Sequence, residues 1–535
     1  MTRTRTTVAE ATPDQKPRDG LSGLRGHPWL TLLSVAIGVM MVALDGTIVA
    51  IANPAIQKDL GASLADVQWI TNAYLLALAV ALITAGKLGD RFGHRQVFLI
   101  GTTGFALSSG LIALSGSVSL VIALRVLQGL CGALLMPTAL GLIRATFPAA
   151  KLNMAIGLWG MVVGASTAGG PIVGGLLVEH VNWQSVFFIN VPVGALALAL
   201  GSVFLAGHRV KDAPRSFDIP GIVLLSAAMF CLIWALIKAP AWSWSDARTV
   251  VFLGSSAAAF LLFAFWQTRG REPLLPLSLF RSVPLAAGVV LMVLMAFAFI
   301  GGLFFVTFYL QNVHGMSPVD AGTHLLPLTG MMIVGSPLAG LLISRIGPRI
   351  PLMAGMISAA VACFGLATLD AGTGTLTMSL WFLLMGVGLA PVMVGATEVI
   401  VGNAPLRHAG VAGGLQQSAM QVGGSLGTAV LGAVMASRVE HLLPEKWTAA
   451  GLPALRPEQL AQAADAVSVG VAPVPAGTPP QYAEKISTVA HDTFVSGMQV
   501  GFRVAGCVAI AAALVAILTK RGENAGPAGA GAGHI

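Results

Sequence analysis

Fourteen apolar runs, each close to the ~20 residues a helix needs to cross the hydrocarbon of a bilayer, follow one another through this chain. They occupy about 29–53, 66–86, 96–115, 118–141, 153–178, 185–206, 218–238, 249–268, 284–311, 320–343, 351–369, 376–401, 410–436 and 496–519. Nothing else in the sequence limits the fold as tightly. Inside lipid every backbone N–H and C=O needs a partner within the protein, and only helices and closed barrels supply one. Runs of this length select helices, since a barrel strand spans with ~10 residues. The composition agrees: 56% of the 535 residues are hydrophobic and 10% charged, against ~25% charged in a soluble domain. The expected fold class is an all-α polytopic membrane protein.

Basic residues set the orientation, because they concentrate in short cytosolic loops. With the N-terminus inside, 21 of the 30 Lys and Arg fall in inner segments and 7 in outer ones, leaving Arg125 and Arg503 within runs. Both termini are therefore expected in the cytosol. The net charge of +8 follows from topology and calls for no nucleic-acid partner. Residues 1–28 and 520–535 read as disordered cytosolic tails. The stretch 437–495, with Pro473, Pro475, Pro479 and Pro480, reads as a long, partly disordered external loop. Trp242-Ser243-Trp244, between runs seven and eight, suits a membrane interface. The four cysteines lie far apart in apolar runs and read as small buried residues, not as disulfides or a zinc set.

Between runs two and three stands a dense cluster of charge, Gly86-Lys87-Leu88-Gly89-Asp90-Arg91-Phe92-Gly93-His94-Arg95. It recurs as Gly340-Leu341-Leu342-Ile343-Ser344-Arg345-Ile346-Gly347-Pro348-Arg349 between runs ten and eleven, with Gly, Leu, Arg, Gly and Arg at matching offsets. An echo about 250 residues away marks a duplicated unit. A shift of eight helices means six per repeat with two inserted, and an even shift relates the repeats by an axis along the membrane normal. The expected division is 29–206, an inserted pair with linkers over 207–283, and 284–519. The glycines Gly86 and Gly93 permit a tight turn, and Arg91 and Arg95 are available to Asp90. We expect a latch on the cytosolic face. Ser344 replaces Asp90 in the second copy, so the two halves cannot latch alike.

Asp45 lies in run one, at least about two turns from either end. A charge at that depth costs about 2.5–3.5 kcal/mol on insertion scales, so it needs a cavity or a partner. Burial disfavours its charged form, which suits a carboxyl to carry a proton. Arg125 in run four does not lose its proton readily, and Gln128 lies three residues on, along the same helical face. Glu398 in run twelve is a second candidate acid. Gln417 in run thirteen and Tyr74 in run two are expected to line a polar cavity. Run five carries Gly169-Gly170-Pro171-Ile172-Val173-Gly174-Gly175, where small residues allow close packing and Pro171 removes one helical hydrogen bond, as in a hinge or seal. There is no Walker loop, nucleophile elbow or metal-binding helix, so neither an enzyme, a cofactor nor a metal is expected.

The Gly86–Arg95 stretch resembles the loop motif of the major facilitator superfamily. Arg125-Val126-Leu127-Gln128-Gly129 resembles its fourth-helix motif, and the Gly169–Gly175 run its antiporter motif. Leu44-Asp45-Gly46-Thr47-Ile48-Val49-Ala50-Ile51-Ala52-Asn53-Pro54 is similar to the first-helix motif of the fourteen-spanning drug:proton antiporters, as are Phe188–Gly194 and Tyr309-Leu310-Gln311. Two positions depart from that pattern: Asn53 stands where Leu is common, and Gln184 where Arg is common. The resemblance implies a monomeric exporter in a bacterial cytoplasmic membrane, exchanging protons for a hydrophobic or amphiphilic drug, antibiotic or toxic metabolite. A proton-coupled importer on the same fold is the alternative.

Overall fold

The computed structural model describes residues 24–207, 218–270, 273–475 and 477–520. Nearly all of both expected tails, and most of the linker after the sixth run, lie outside the described residues. Fourteen long helices correspond to the fourteen runs: α1 (Pro28–Leu60), α2 (Leu64–Phe92), α3 (His94–Ala113), α4 (Val118–Thr146), α5 (Ala149–His180), α6 (Gln184–Phe204), α7 (Ile219–Trp242), α8 (Ala247–Arg269), α9 (Val283–Phe308), α10 (Leu326–Ile346), α11 (Arg349–Leu366), α12 (Thr375–Asn403), α13 (Ala409–Ala449) and α14 (Pro480–Val515). Polar side chains mark several starts. Ser63 and Asp66 form a capping box on α2, and Ser117 and Asp246 cap α4 and α8. Each satisfies N–H groups that the first helical turn leaves unpaired.

The contacts repeat as the sequence echo predicts. In the first six helices α1 packs on α5 and α6, α2 on α4, and α3 on α4 and α6. Eight helices later α9 packs on α13 and α14, α10 on α12, and α11 on α12 and α14. The two copies of the charged loop even share backbone form. Gly93 and Gly347 hold φ of +93° and +81° at equivalent places, a region costly for residues with a Cβ. The halves meet where α2 crosses α13 and α5 crosses α10. Gly86 lies against the Gly410 carbonyl at the first crossing, and Gly340 against that of Asn153 at the second.

The stretch 437–495 is not the loop its composition implied. α13 continues to Ala449, a short helix covers Pro457–Ser468, and α14 begins at Pro480. Val439, Leu443 and Trp447 are buried at four-residue spacing, as are Ile486 and Ala490 on α14. These segments are too polar to read as membrane runs, yet their helical period supplies an apolar face. Pro457 and Pro480 stand at first helical positions, where the missing N–H loses nothing. Asn312 anchors the segment by donating to the Val469 carbonyl at 2.7 Å.

Of the inserted pair, α7 packs against α8 and against both α2 and α13. One carboxylate ties the pair's lower end together. Asp218 accepts from the Gly221 N–H (2.9 Å), Trp266 Nε1 (2.7 Å), Gln267 Nε2 (2.7 Å) and the Leu274 N–H (3.1 Å). The neighbouring Pro273 carbonyl accepts from Lys87 Nζ at 2.9 Å, which joins the pair to the charged loop. Burial alone would raise the Asp218 pKa, but these hydrogen bonds outweigh it and hold the carboxyl below its usual value. A lowered folded pKa stabilises above the ordinary carboxylate value near ~4 and is lost as pH falls through the folded value. Asp218→Ala is expected to cost about 2 kcal/mol. Thermal unfolding of the purified protein checks this, and the wild-type advantage should shrink on acidification below ~4.

Candidate functional site

The α1 face that bears Asp45 continues outward through Val49, Ala52 and Ile56, all buried in the first six-helix half. Asp45 therefore points into that half's core and is 0% exposed. Arg125 reaches it from α4, its Nη1 lying 2.5 Å from Asp45 Oδ2. Gln128 Nε2 donates to Asp45 Oδ1 at 3.0 Å, and Gln128 Oε1 accepts from Arg125 at 2.8 Å. The Ile70 carbonyl takes Arg125 Nε at 2.9 Å. The Tyr74 ring lies 4.1 Å from the guanidinium carbon, and its hydroxyl donates to the Val42 carbonyl at 3.2 Å. Four of the six residues expected at a coupling site thus converge.

A further member is Asn190 on α6, which lies within the Phe188–Gly194 motif but is not among the expected site residues. Its Nδ2 lies 3.4 Å from Asp45 Oδ1 and 3.0 Å from Ser109 Oγ. The signal was present: a carboxamide inside an apolar span needs a partner, because none is available in lipid. With this contact the carboxylate accepts from three side chains. A buried pair is tolerated only when charge and hydrogen bonds are both completed, and removing one partner costs about 3–5 kcal/mol. The expected polar cavity is replaced here by a sealed, fully bonded cluster.

Glu398 and Gln417 are not part of it. Both sit on the second half, where Gln417 Nε2 lies 3.3 Å from Met136 Sδ. Glu398 is 2% exposed near the end of α12. Arg144 of α4 donates to the Gly402 carbonyl at 3.2 Å.

That contact neighbours the charged loop. Asp90, 3% exposed, accepts from the backbone N–H groups of Gly410 (2.8 Å) and Val411 (3.0 Å). It serves as a cap for α13, whose own N-cap residue makes no side-chain cap. His94 Nε2 stands 3.3 Å from Asp90 Oδ1. The arginines take other places: Arg95 donates to the Ser202 carbonyl at 2.9 Å, and Arg91 lies over the Phe92 ring. A helix N-terminus favours an anion and a C-terminus a cation. Asp90 at the start of α13 and Arg144 at the end of α12 satisfy both, each reaching across from the first half. In the second copy Ser344 donates to Leu341 of its own helix at 2.6 Å, and α5 has no side-chain cap at its own N-cap.

In the antiporter-like run Gly170 lies against Thr47 and Gly174 against Ile48, so α5 presses onto α1 beside Asp45. Gly175 faces Val319, and the Pro171 side chain lies outside the described residues. Gly157, lower on α5, abuts the Ser336 carbonyl of α10. One helix thus touches both the helix bearing the buried carboxylate and the opposite half.

Comparison with known proteins supports the same grouping. The chain is 66% identical over 503 residues to the tetracenomycin C resistance and export protein of Streptomyces glaucescens, covering 94% of this chain and 93% of that one. It is 32% identical to the multidrug efflux pump LfrA of Mycolicibacterium smegmatis, covering 91% and 95%. Among solved structures it resembles the human organic anion transporter MFSD10, with a TM-score of 0.61, 13% identity and coverage of 91% and 99%. It also resembles the proton:xylose symporter XylE, with a TM-score of 0.58, 12% identity and coverage of 91% and 94%. The family model for the Major Facilitator Superfamily matches residues 35–428. Fourteen spans, a contact pattern repeated after eight helices, and this match place the chain in the major facilitator superfamily.

Proposed function

We propose that this chain exports a drug, antibiotic or toxic metabolite across the cytoplasmic membrane in exchange for protons, working as a monomer. The fold alone does not set direction. Export is carried by the relatives, one named for tetracenomycin C export and another for multidrug efflux. Proton coupling is carried by one observation: a carboxylate fully buried in the span region, bonded to Arg125, Gln128 and Asn190.

Ionised Asp45 holds α1 to α4 and α6. A proton on Asp45 removes the charge attraction and turns an acceptor into a donor facing other donors. Arg125 stays in place, held by the Ile70 carbonyl, Gln128 and the Tyr74 ring. The helix freed to shift is α1, and α5 shifts with it through the glycine contacts. Because α5 also packs on α10, the movement reaches the opposite half. The inner clasp of Asp90 and Arg144 then opens or closes the cytosolic side. Charge at a helix terminus is worth about 0.3–2 kcal/mol, while the membrane supplies about 2.3 kcal/mol per charge per 100 mV. At 100 mV one proton thus supplies energy of the same order as such a clasp.

Asp45→Asn is expected to reduce gradient-driven export to background while the protein remains inserted. Inside-out vesicles acidified within provide the measurement, and wild-type rates in the variant would exclude the coupling role. Substrate uptake confined to right-side-out cells would instead favour an importer. Asp90→Asn is expected to slow turnover about five- to thirty-fold, the equivalent of about 1–2 kcal/mol at the clasp. Substrate affinity in the same preparation should change less than twofold. Unchanged turnover would leave the loop as a charge anchor.

A further inference from the structure

A second polar site opens at the far end of the same helices. Between the outer ends of α1 and α2 lies a cavity of about 410 Å³ lined by Asn53, Pro54, Gln57, Gln68, Thr71 and Asn72, with one further apolar residue. That volume lies within the range of small-molecule sites, about 300–1,000 Å³. Its polar groups are four carboxamides and a hydroxyl, and no lining residue is ionisable. Asp45, Val49, Ala52 and Ile56 face the core of the first half; Asn53 and Gln57 are turned roughly 80–120° away from that line. The cleft therefore stands about 12 Å outward from Asp45 along α1 and is separate from the buried charge cluster.

Its chemistry restricts the occupant. A cation calls for a carboxylate or an aromatic face, and an anion for Arg or Lys; the cleft offers none of these. Carboxamides both donate and accept, which matches neutral hydroxyl and carbonyl groups. One polar group beside the cleft lacks a partner. Asn53 Nδ2 donates to Thr71 Oγ1 at 3.4 Å, whereas its buried Oδ1 has no partner within the protein. Asn53 itself lines the cleft, and a turn of its amide that brings this oxygen to the cleft would let a ligand O–H or N–H complete it.

We propose that this cleft is a release subsite for the uncharged, hydroxyl- and carbonyl-bearing part of the exported compound, and that Asn53 is its specificity-determining residue. The proposal rests on the export reading and adds the substrate class. It also fits the inner cluster, where Arg125, Gln128 and Asn190 occupy the Asp45 carboxylate.

The test is equilibrium binding to purified protein, run beside export in inside-out vesicles. Two probes are used: tetracenomycin C, neutral with hydroxyl and carbonyl groups, and ethidium, a permanent cation. Wild type should bind tetracenomycin C in preference to ethidium. Asn53→Leu, similar in volume but without hydrogen bonds, should weaken tetracenomycin C binding about tenfold and leave ethidium within twofold. Gln68→Leu should act in the same direction, which guards against a folding defect in one variant, and unfolding temperatures are compared. Asn53→Asp should raise ethidium affinity at the expense of tetracenomycin C. Unchanged tetracenomycin C affinity in both leucine variants overturns the subsite. Preference of wild type for ethidium, or no binding of tetracenomycin C, overturns the substrate class. A wild type that binds normally but shows no gradient-dependent export overturns the transport reading instead and leaves the subsite standing.

Discussion

The first half of this protein is built around opposite charges held out of water. Asp45 and Arg125 are 0% and 1% exposed, and in that setting each unmet hydrogen bond costs more than a typical bond contributes. Completing the pair fixes the surrounding helices. α2 supplies the Ile70 carbonyl and the Tyr74 ring, α4 supplies Gln128, and α6 supplies Asn190. Four helices are thereby registered on a single carboxylate. A change in its charge is consequently a change in how they fit.

At the inner seal the two halves are related by repetition but not by chemistry. The crossings α2–α13 and α5–α10 occupy equivalent positions and bring glycines against backbone carbonyls. Among the described residues, only the first also has a carboxylate capping the opposing helix. Duplication accounts for the shared geometry, and the change from Asp90 to Ser344 accounts for the unequal capping. The inserted pair attaches on the side with the capping carboxylate, through Lys87 and the Pro273 carbonyl.

The spans were legible because lipid imposes one rule, internal hydrogen bonding over ~20 apolar residues. The pairing of Asp45 with Arg125 was legible for a related reason: each is too costly to bury alone. Asn190 was legible only as part of the Phe188–Gly194 motif, with no site role, since a neutral carboxamide costs less to bury and stands out less in a sequence. The partner of Asp90 was hidden for a different reason, being backbone N–H of a glycine and a valine 320 and 321 residues away, which no side-chain pattern announces. Composition misread 437–495 because proline at a helix start and proline in a loop look alike without the buried period beside them.

α13 is a single helix of 41 residues, about 60 Å long, twice the hydrocarbon thickness. Its inner tip is held by Asp90, and its outer portion is stitched to α14 by Lys446 bonding the Asp492 carbonyl at 3.1 Å. A rod of that length is a lever. A tilt of ~5° about the inner end carries the outer tip ~5 Å, so small changes at the clasp are amplified toward the exterior. The helical segment around Trp447 and Pro457–Ser468 rides on that arm and would move with any such tilt.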